Sequence, residues 1–367
     1  MEWKETALAD CCESIYDGDH QAPPMVKDGV SCLSISDVVH NQIVFPTSLH
    51  TTETYYKKLS PVRTPKKDDI LYSVVGSIGI PIILRVNRRF AFQRQFALLR
   101  PNKDVIIPEF LFYTLLNPRF RLQAEATAIG TAQKIIKLNV LRNINIHIPQ
   151  MSVQRKIVEL INPYDALIEN HRRQIALLEE AAQRIYKKWF VDTPSAHCKL
   201  TLSPLPELVE VCYGKDHQGL PAGQYPVYGS GGCMRKVNQF LYDKESILIP
   251  RKGTLNNILY VDEPFWTVDT MFYTKIKRPN IGFYLYNYLL RIDMYAMNTG
   301  AAVPSMTTNV LNKLMIPLPP PAYLMRFSDT IAPMHHKIKL LMNEITLLQE
   351  ARDRLLPKLM SGEIEVS

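Results

Sequence analysis

The sequence predicts an α+β protein: two β-rich domains separated by an antiparallel pair of long helices, with the plan written twice along the chain. Three observations carry this. At a constant offset of 170 positions the chain matches itself without a gap for about sixty residues. Within the matched stretch, apolar residues recur at heptad spacing. The rest of each half is made of short β-branched runs broken by glycine.

The repeat can be followed residue by residue. Gly130 pairs with Gly300, Pro149 with Pro319, Ile161 with Ile331 and Pro163 with Pro333. Asn139, Val140 and Leu141 pair with Asn309, Val310 and Leu311, and Ala181, Arg184 and Lys188 pair with Ala351, Arg354 and Lys358. Upstream the likeness fades: "DILYSVVGS" (69–77) resembles "SILIPRKGT" (246–254), and "YDGDH" (16–20) faintly echoes "YGKDH" (213–217). We therefore divide the chain into a first domain (1–150), a central helical region (151–195), a second domain (196–320) and a C-terminal helical region (321–367).

Each domain contains strand-like runs, an aromatic helix candidate ("PEFLFYTLLN", 108–117; "GFYLYNYLLR", 282–291) and a closing strand ("NINIHIP"; "KLMIPLP"). This mixture predicts α+β domains with a mixed or antiparallel sheet. In the first helical region, Ile161, Ile168, Ile175, Ala182 and Trp189 fall seven apart, with Tyr164, His171, Leu178 and Ile185 three residues after the first four. The second repeats the seam with Ile331, Ile338, Ile345, Arg352 and Leu359, and with Met334, Leu341, Leu348 and Leu355. Arg352 is the polar exception: it either fixes register or snorkels outward. Pro163 and Pro333 suit a helix start or a break after a short turn. A helix from Pro163 to Phe190 spans roughly 42 Å at ~1.5 Å per residue. Matching seams on two such helices predict antiparallel packing, with a domain at each end and a pseudo-two-fold axis between them.

With 367 residues, 46% hydrophobic and 21% charged, the chain is long enough for two cores. Its net charge of +8 favours a polyanionic partner. The excess lies mainly in the domains, in clusters such as Lys57–Lys58, Lys66–Lys67, Arg85/Arg88/Arg89, Lys134/Lys137, Arg235–Lys236 and Arg251–Lys252. No apolar run reaches ~18 residues, so no membrane span is expected. The polar, acidic start lacks the pattern of a secretory signal, and the expected location is the cytoplasm. The six cysteines include no C-x-x-C pair and read as reduced thiols.

Catalytic and metal motifs are not found. "NPY" (162–164) lacks the second proline of a methyltransferase loop and falls in the heptads. "YGSGGC" (228–233) lacks the strand and helix that frame a nucleotide loop, and "RKGT" (251–254) is not a P-loop. Adjacent His335 and His336 point to different helix faces, a poor metal geometry. The expectation is a non-catalytic protein without a metal. A strut of roughly 42 Å compares with about 34–36 Å per turn of B-DNA. Two unlike domains so held could read an asymmetric, bipartite site in one duplex. A scaffold that joins two proteins without touching DNA would show the same helices.

The segments "LLPKLMSGEIEV" (355–366) and "QRKIVELI…ALIENHRRQIALLEEAAQRIYKKWFVD" (154–192) resemble the conserved regions of specificity subunits of type I restriction–modification systems. "YDGDHQAPP" (16–24) and "GTAQKIIKLNVLRNINIHIP" (130–149) resemble the beginnings and ends of their target recognition domains. The resemblance covers essentially the whole chain. It implies a non-enzymatic subunit in which each domain reads one half of a bipartite site in double-stranded DNA and the helices dock two modification subunits. Those subunits bind S-adenosylmethionine and methylate adenine at N6; restriction subunits, with ATP and Mg, cleave unmethylated DNA. One departure is that Gln133 and Lys134 are replaced in the second half by Val303 and Pro304. The candidate DNA contacts in the first domain are Asp17, His20, Gln21, Ser77, Arg94, Gln95, Gln133 and Lys134. In the second they are Lys215, His217, Gln218, Arg251, Lys252, Thr254, Asn256 and Asn257, polar residues in or beside glycine-punctuated loops.

Overall fold

Four strands make the central sheet of the N-terminal part: Cys12–Asp17, Phe96–Pro101, Ile70–Ser73 and Pro81–Ile83, hydrogen-bonded in that order and all antiparallel. Ile70–Ser73 is buried along its whole length, which is why its sequence reads as a continuous apolar run and not as an alternation. The computed structural model describes residues 3–19, 21–130, 133–192, 199–298, 300 and 303–366. These form two compact units, Met1–Glu169 with Ile345–Ser367, and Asn170–Glu344. The cuts between them fall inside the two long helices, Met151–Lys187 and Pro321–Met360.

In the first unit a smaller sheet runs Ala91–Phe92, Val30–Leu33, Leu49–Thr51, Met25–Val26, its first pair parallel. Lys4–Ala7 pairs with Asn145–Ile148. The core gathers Leu8, Ile70, Phe110 and Tyr113 with Ile157 and Ile161 of the first long helix and Leu356 and Leu359 of the second.

The second unit repeats this order with different residues. Val209–Tyr213, Met271–Ile276, Ser246–Pro250 and Leu259–Val261 form the antiparallel sheet. Trp266–Thr267 pairs in parallel with Ala222–Gly229, and Thr201–Pro204 pairs with Met315–Leu318. Its core is closed by Ala182, Tyr186 and Phe190 together with Leu324, Phe327 and Ile331.

One connection differs sharply. In the first unit the chain leaves Val30–Leu33 through residues 34–48 before returning as Leu49–Thr51. In the second, Ala222–Gly229 turns directly into Gly232–Val237. Asp37 closes the base of the longer connection, its carboxylate accepting from the Ser34 amide (2.8 Å), the Ser34 hydroxyl (2.8 Å) and the Ser48 amide (2.8 Å). Burial pushes the Asp37 carboxyl up, but these hydrogen bonds outweigh it and hold the pKa below its ordinary value of 3.8.

The long helices contain 37 and 40 residues and begin well upstream of the prolines at which the sequence suggests a start or a break. Pro163 and Pro333 lie inside them, on exposed positions where the backbone carbonyl freed by the missing N–H can face water. Packing holds the turns before Pro163. Gln154 is fully buried; its Oε1 accepts from the Ile107 amide (2.9 Å) and its Nε2 donates to the carbonyls of Val105 (3.1 Å) and Pro149 (3.0 Å). The first helix ends in a wider π turn, Lys188–Asp192, which carries Trp189 and Phe190.

In the first unit Ile168 is buried, and Ile345, Leu348 and Leu355 are half-buried. In the second Ile338 and Leu341 are buried, and Ile175, Leu178, Ile185 and Trp189 are half-buried. The helices run antiparallel in each unit. In the second, His171 Nε2 lies 2.9 Å from Glu344 while Trp189 packs on Phe327 at 5.9 Å. In the first, Asp165 meets Arg352 while Ile157 shares a core with Leu359.

Arg352 does not snorkel to water. Its guanidinium is 2.5 Å from Asp165, which also accepts from the Tyr113 hydroxyl (2.8 Å), and the two charged side chains are only 14% and 19% exposed. The positions related to Asp165 and Arg352 by the 170-residue repeat are His335 and Ala182. There Phe283 stacks on His335 with ring centroids 4.7 Å apart, and burial lowers the imidazole pKa to about 4, leaving it neutral at neutral pH. The first unit thus has a charged clasp where the second has an aromatic one.

Arg352→Ala should lower stability to urea by about 3 kcal/mol, because it leaves a largely buried carboxylate unpaired, and the double variant Arg352→Met/Asp165→Leu should recover most of that loss. Ile175→Asp should cost about 3 kcal/mol by placing a charge in the helix contact, read as a lowered melting temperature.

Candidate nucleic-acid interface

The central sheet of the first unit sends its loops out at one end. Asp17 and Ser73 close their strands there, and Phe96 opens its own, paired with Ser73. The loops that follow or precede these residues are tied together. Val74 N–H donates to the Gln95 carbonyl (2.8 Å), Gly76 N–H to the Lys134 carbonyl (3.0 Å) and Ile136 N–H to the Val74 carbonyl (2.9 Å). Gly18 crosses the 92–93 backbone so closely that a Cβ would lie 2.4 Å from the Gln93 carbonyl carbon. Segments 17–19, 74–78, 93–95 and 133–136 are therefore neighbours. They bring together Asp17, Ser77, Arg94, Gln95, Gln133 and Lys134.

These candidates differ in their freedom to meet a ligand. Ser77, Arg94, Gln133 and Lys134 are exposed, as is Gln21. Gln95 is half-buried, and its Oε1 accepts from the Ile35 amide (3.1 Å), anchoring the 34–48 connection. Asp17 is half-buried and 3.7 Å from Arg63, which also meets Asp19 at 2.5 Å. Arg63, absent from the sequence candidates, neutralises the acidic turn; nothing in its local sequence marks it. His20 lies outside the described residues.

The second unit repeats the arrangement. Tyr213, Pro250 and Met271 mark the matching end of the sheet. Gly253 N–H donates to the Pro304 carbonyl (3.1 Å), Met306 N–H to the Arg251 carbonyl (2.8 Å) and Lys215 N–H to the Thr267 carbonyl (2.8 Å). Lys215, Gln218 and Thr254 are exposed. Arg251 and Lys252 each lie 3.9 Å from Asp269, and the Arg251 guanidinium is 5.4 Å from the Tyr213 ring centroid.

His217 is half-buried and its carbonyl accepts from the Arg235 guanidinium. The amides of Asn256 and Asn257 are committed to the fold. Asn256 Oδ1 accepts from the Met294 amide (2.9 Å), and Asn257 Nδ2 donates to the Ser230 carbonyl (2.8 Å). Sequence reasoning also missed Asn298, whose Oδ1 accepts from the amides of Gly300 (2.8 Å) and Ser305 (2.7 Å), bracing the loop that replaces Gln133 and Lys134; an Asn two residues before a glycine is its one local signal.

The lookalike motifs resolve structurally. "NPY" lies within the first long helix, "YGSGGC" spans the turn of a hairpin and "RKGT" follows a strand as a loop. Among the described residues no group of three or more His, Cys, Asp or Glu side chains is placed to hold a metal, and no helix is long and apolar enough to cross a membrane. The five described cysteines, Cys11, Cys12, Cys32, Cys212 and Cys233, are free thiols.

Two α+β units with one strand order and unlike polar loops define a duplicated, loop-variable class of protein. The sequence profile described as "Type I restriction modification DNA specificity domain" matches residues 2–180 and 207–332, and the chain belongs to that family. The HindI specificity subunit of Haemophilus influenzae is 29% identical over 207 residues, spanning 54% of this chain but only 43% of that protein. The MjaIX specificity subunit of Methanocaldococcus jannaschii is 24% identical over 306 residues, 72% of this chain and 71% of that one. The crystal structure of a type I restriction–modification S subunit from M. genitalium shares the fold, with a TM-score of 0.57 at 18% identity, covering 100% of this chain and 97% of that chain.

Asn257→Ala should lower stability by about 1 kcal/mol through loss of its bond to Ser230. Lys252→Ala, on an open loop, should change it by less than about 0.5 kcal/mol. Parallel urea melts check both.

Proposed function

We propose that the chain is the sequence-reading, non-catalytic subunit of a type I restriction–modification complex, each unit reading one half of an asymmetric bipartite site in double-stranded DNA. The observation that carries this is the repeated loop end. One strand order presents exposed Ser77, Arg94, Gln133 and Lys134 in the first unit, and exposed Lys215, Gln218 and Thr254 with half-buried Lys252 in the second. Cations at such an end neutralise phosphates, while amides, hydroxyls and guanidinium groups can read base edges. Different loops on a shared scaffold make the two halves of the site different.

In this reading the chemistry belongs to partners in the cytoplasm. Two modification subunits bind S-adenosylmethionine and methylate adenine, and restriction subunits use ATP and Mg; this chain carries no cofactor. Docking is supported by exposed apolar side chains on the long helices: Leu160, Leu167 and Leu347 in the first unit, and Leu177 and Leu340 in the second. A scaffold that never touches DNA would use the same leucines, so the test must read DNA. Expressed with its modification subunit in a methylation-free host, the chain should direct N6-methyladenine to a two-part motif with a fixed gap, mapped by single-molecule sequencing. The motif should vanish when this chain is omitted. Methylation that persists without it would assign recognition to the partner.

A further inference from the structure

We propose that the tight turn at Ser230–Gly231, which joins Ala222–Gly229 to Gly232–Val237, is a DNA-contacting element of the second unit that seats the phosphodiester backbone of the half-site. The inference rests on the DNA-reading role above and extends it to a segment outside the candidate contacts.

The turn belongs to the loop end by direct contact. Asn257 Nδ2 holds the Ser230 carbonyl at 2.8 Å, and a Cβ on Gly253 would lie 2.9 Å from the Ser230 hydroxyl. It is therefore next to the loop that carries Arg251, Lys252 and Thr254. Met234 (59% exposed) and exposed Lys236 continue outward along the hairpin strand. Two cations stand beside the turn, Arg251 and Lys252, each 3.9 Å from the Asp269 carboxylate. Such a surface suits a polyanion.

The glycines separate a structural need from an external one. Gly232 has φ +108°, so the turn itself favours glycine there. Gly231 has no positive φ, and a Cβ added to it would meet no atom within 4 Å. Neither backbone conformation nor internal packing calls for glycine at 231. A surface that must approach the backbone closely does call for one. Gly18 and Gly214, by contrast, are fixed from inside: a Cβ on Gly214 would lie 2.0 Å from the Val268 carbonyl oxygen.

The first unit joins the equivalent strands by residues 34–48, whose own hairpin pairs Val38–Val39 with Gln42–Ile43, so the direct Ser230–Gly231 connection belongs to the second unit and would serve one half-site alone. The test uses the full chain, wild type and Gly231→Val, with Gly231→Ala as the milder variant. Each is offered a pool of random-sequence duplex DNA, and enriched motifs, affinity and melting temperature are measured. The expected result is an unchanged melting temperature, affinity reduced about tenfold or more for the valine variant and less for alanine, and degeneration of one block of the motif while the other persists. A valine variant that enriches the wild-type motif with wild-type affinity overturns the inference and leaves the DNA-reading role standing. A melting temperature lowered by several degrees, or equal loss of both blocks, overturns it in favour of a folding role for Gly231. A wild-type chain that enriches no motif overturns the reading on which it rests.

Discussion

Each unit depends on one constraint: its core is closed by pieces of both long helices, which are far apart in sequence. Ile157 and Ile161 reach the first core from one helix, and Leu356 and Leu359 reach it from the other. In the second unit Tyr186 packs on Tyr284 and Phe327, and Phe190 meets the same two rings at 5.0 and 5.2 Å. Removing either helix would expose the apolar wall of a sheet domain and not merely a connecting rod. The antiparallel pairing follows, because only chain segments returning along the first helix can fill both cores. The loop ends inherit their geometry from those cores, since the strands that carry Asp17, Ser73 and Phe96, or Tyr213, Pro250 and Met271, are held by them.

Burial alone does not distinguish one repeat from the other, and the two clasps supply that distinction. Tyr113–Asp165–Arg352 is charged and hydrogen-bonded, whereas the matching His335 is stacked on the Phe283 ring and the position matching Arg352 is Ala182. Exchanging helix segments between units would place Arg352 beside a neutral, desolvated imidazole and leave Asp165 against an alanine. A largely buried unpaired charge is costly enough to reject that arrangement, even where the correct ion pair adds little net stability. The repeat keeps the seam alike enough to pair, and these few positions keep the pairing in one sense.

The helix pair was legible in the sequence because its signal is periodic and local: Ile168, Ile175 and Leu178, like Ile338, Leu341 and Ile345, repeat with the period of the helix. The beginning of each helix was not. Pro163 and Pro333 are strong local breakers, and their effect is overridden by burial of residues upstream, above all Gln154 with its three hydrogen bonds. The common strand order was invisible because strand pairing is non-local, and residues 34–48 interrupt any constant offset between the halves. At the loop end, sequence could identify polar residues near glycines. It could not tell an amide facing outward, such as Gln133, from one committed inward, such as Asn257, because the partner carbonyl of Asn257 lies on a separate hairpin. Gly231 was legible within "YGSGGC" but only as a turn residue, because a glycine in a turn looks the same whether the turn or a ligand requires it.

The division of the chain into units also bears on how it is made. Residues 170–344 form a contiguous unit and can close their core as soon as they have left the ribosome. Residues 1–169 cannot, because Leu356, Leu359 and Met360 of that core are synthesised only after the whole of the second unit. The half translated first is thus the half completed last, and until then its apolar wall waits for cover. Loss of the second helix would open the core of the first unit as well as remove the segment itself.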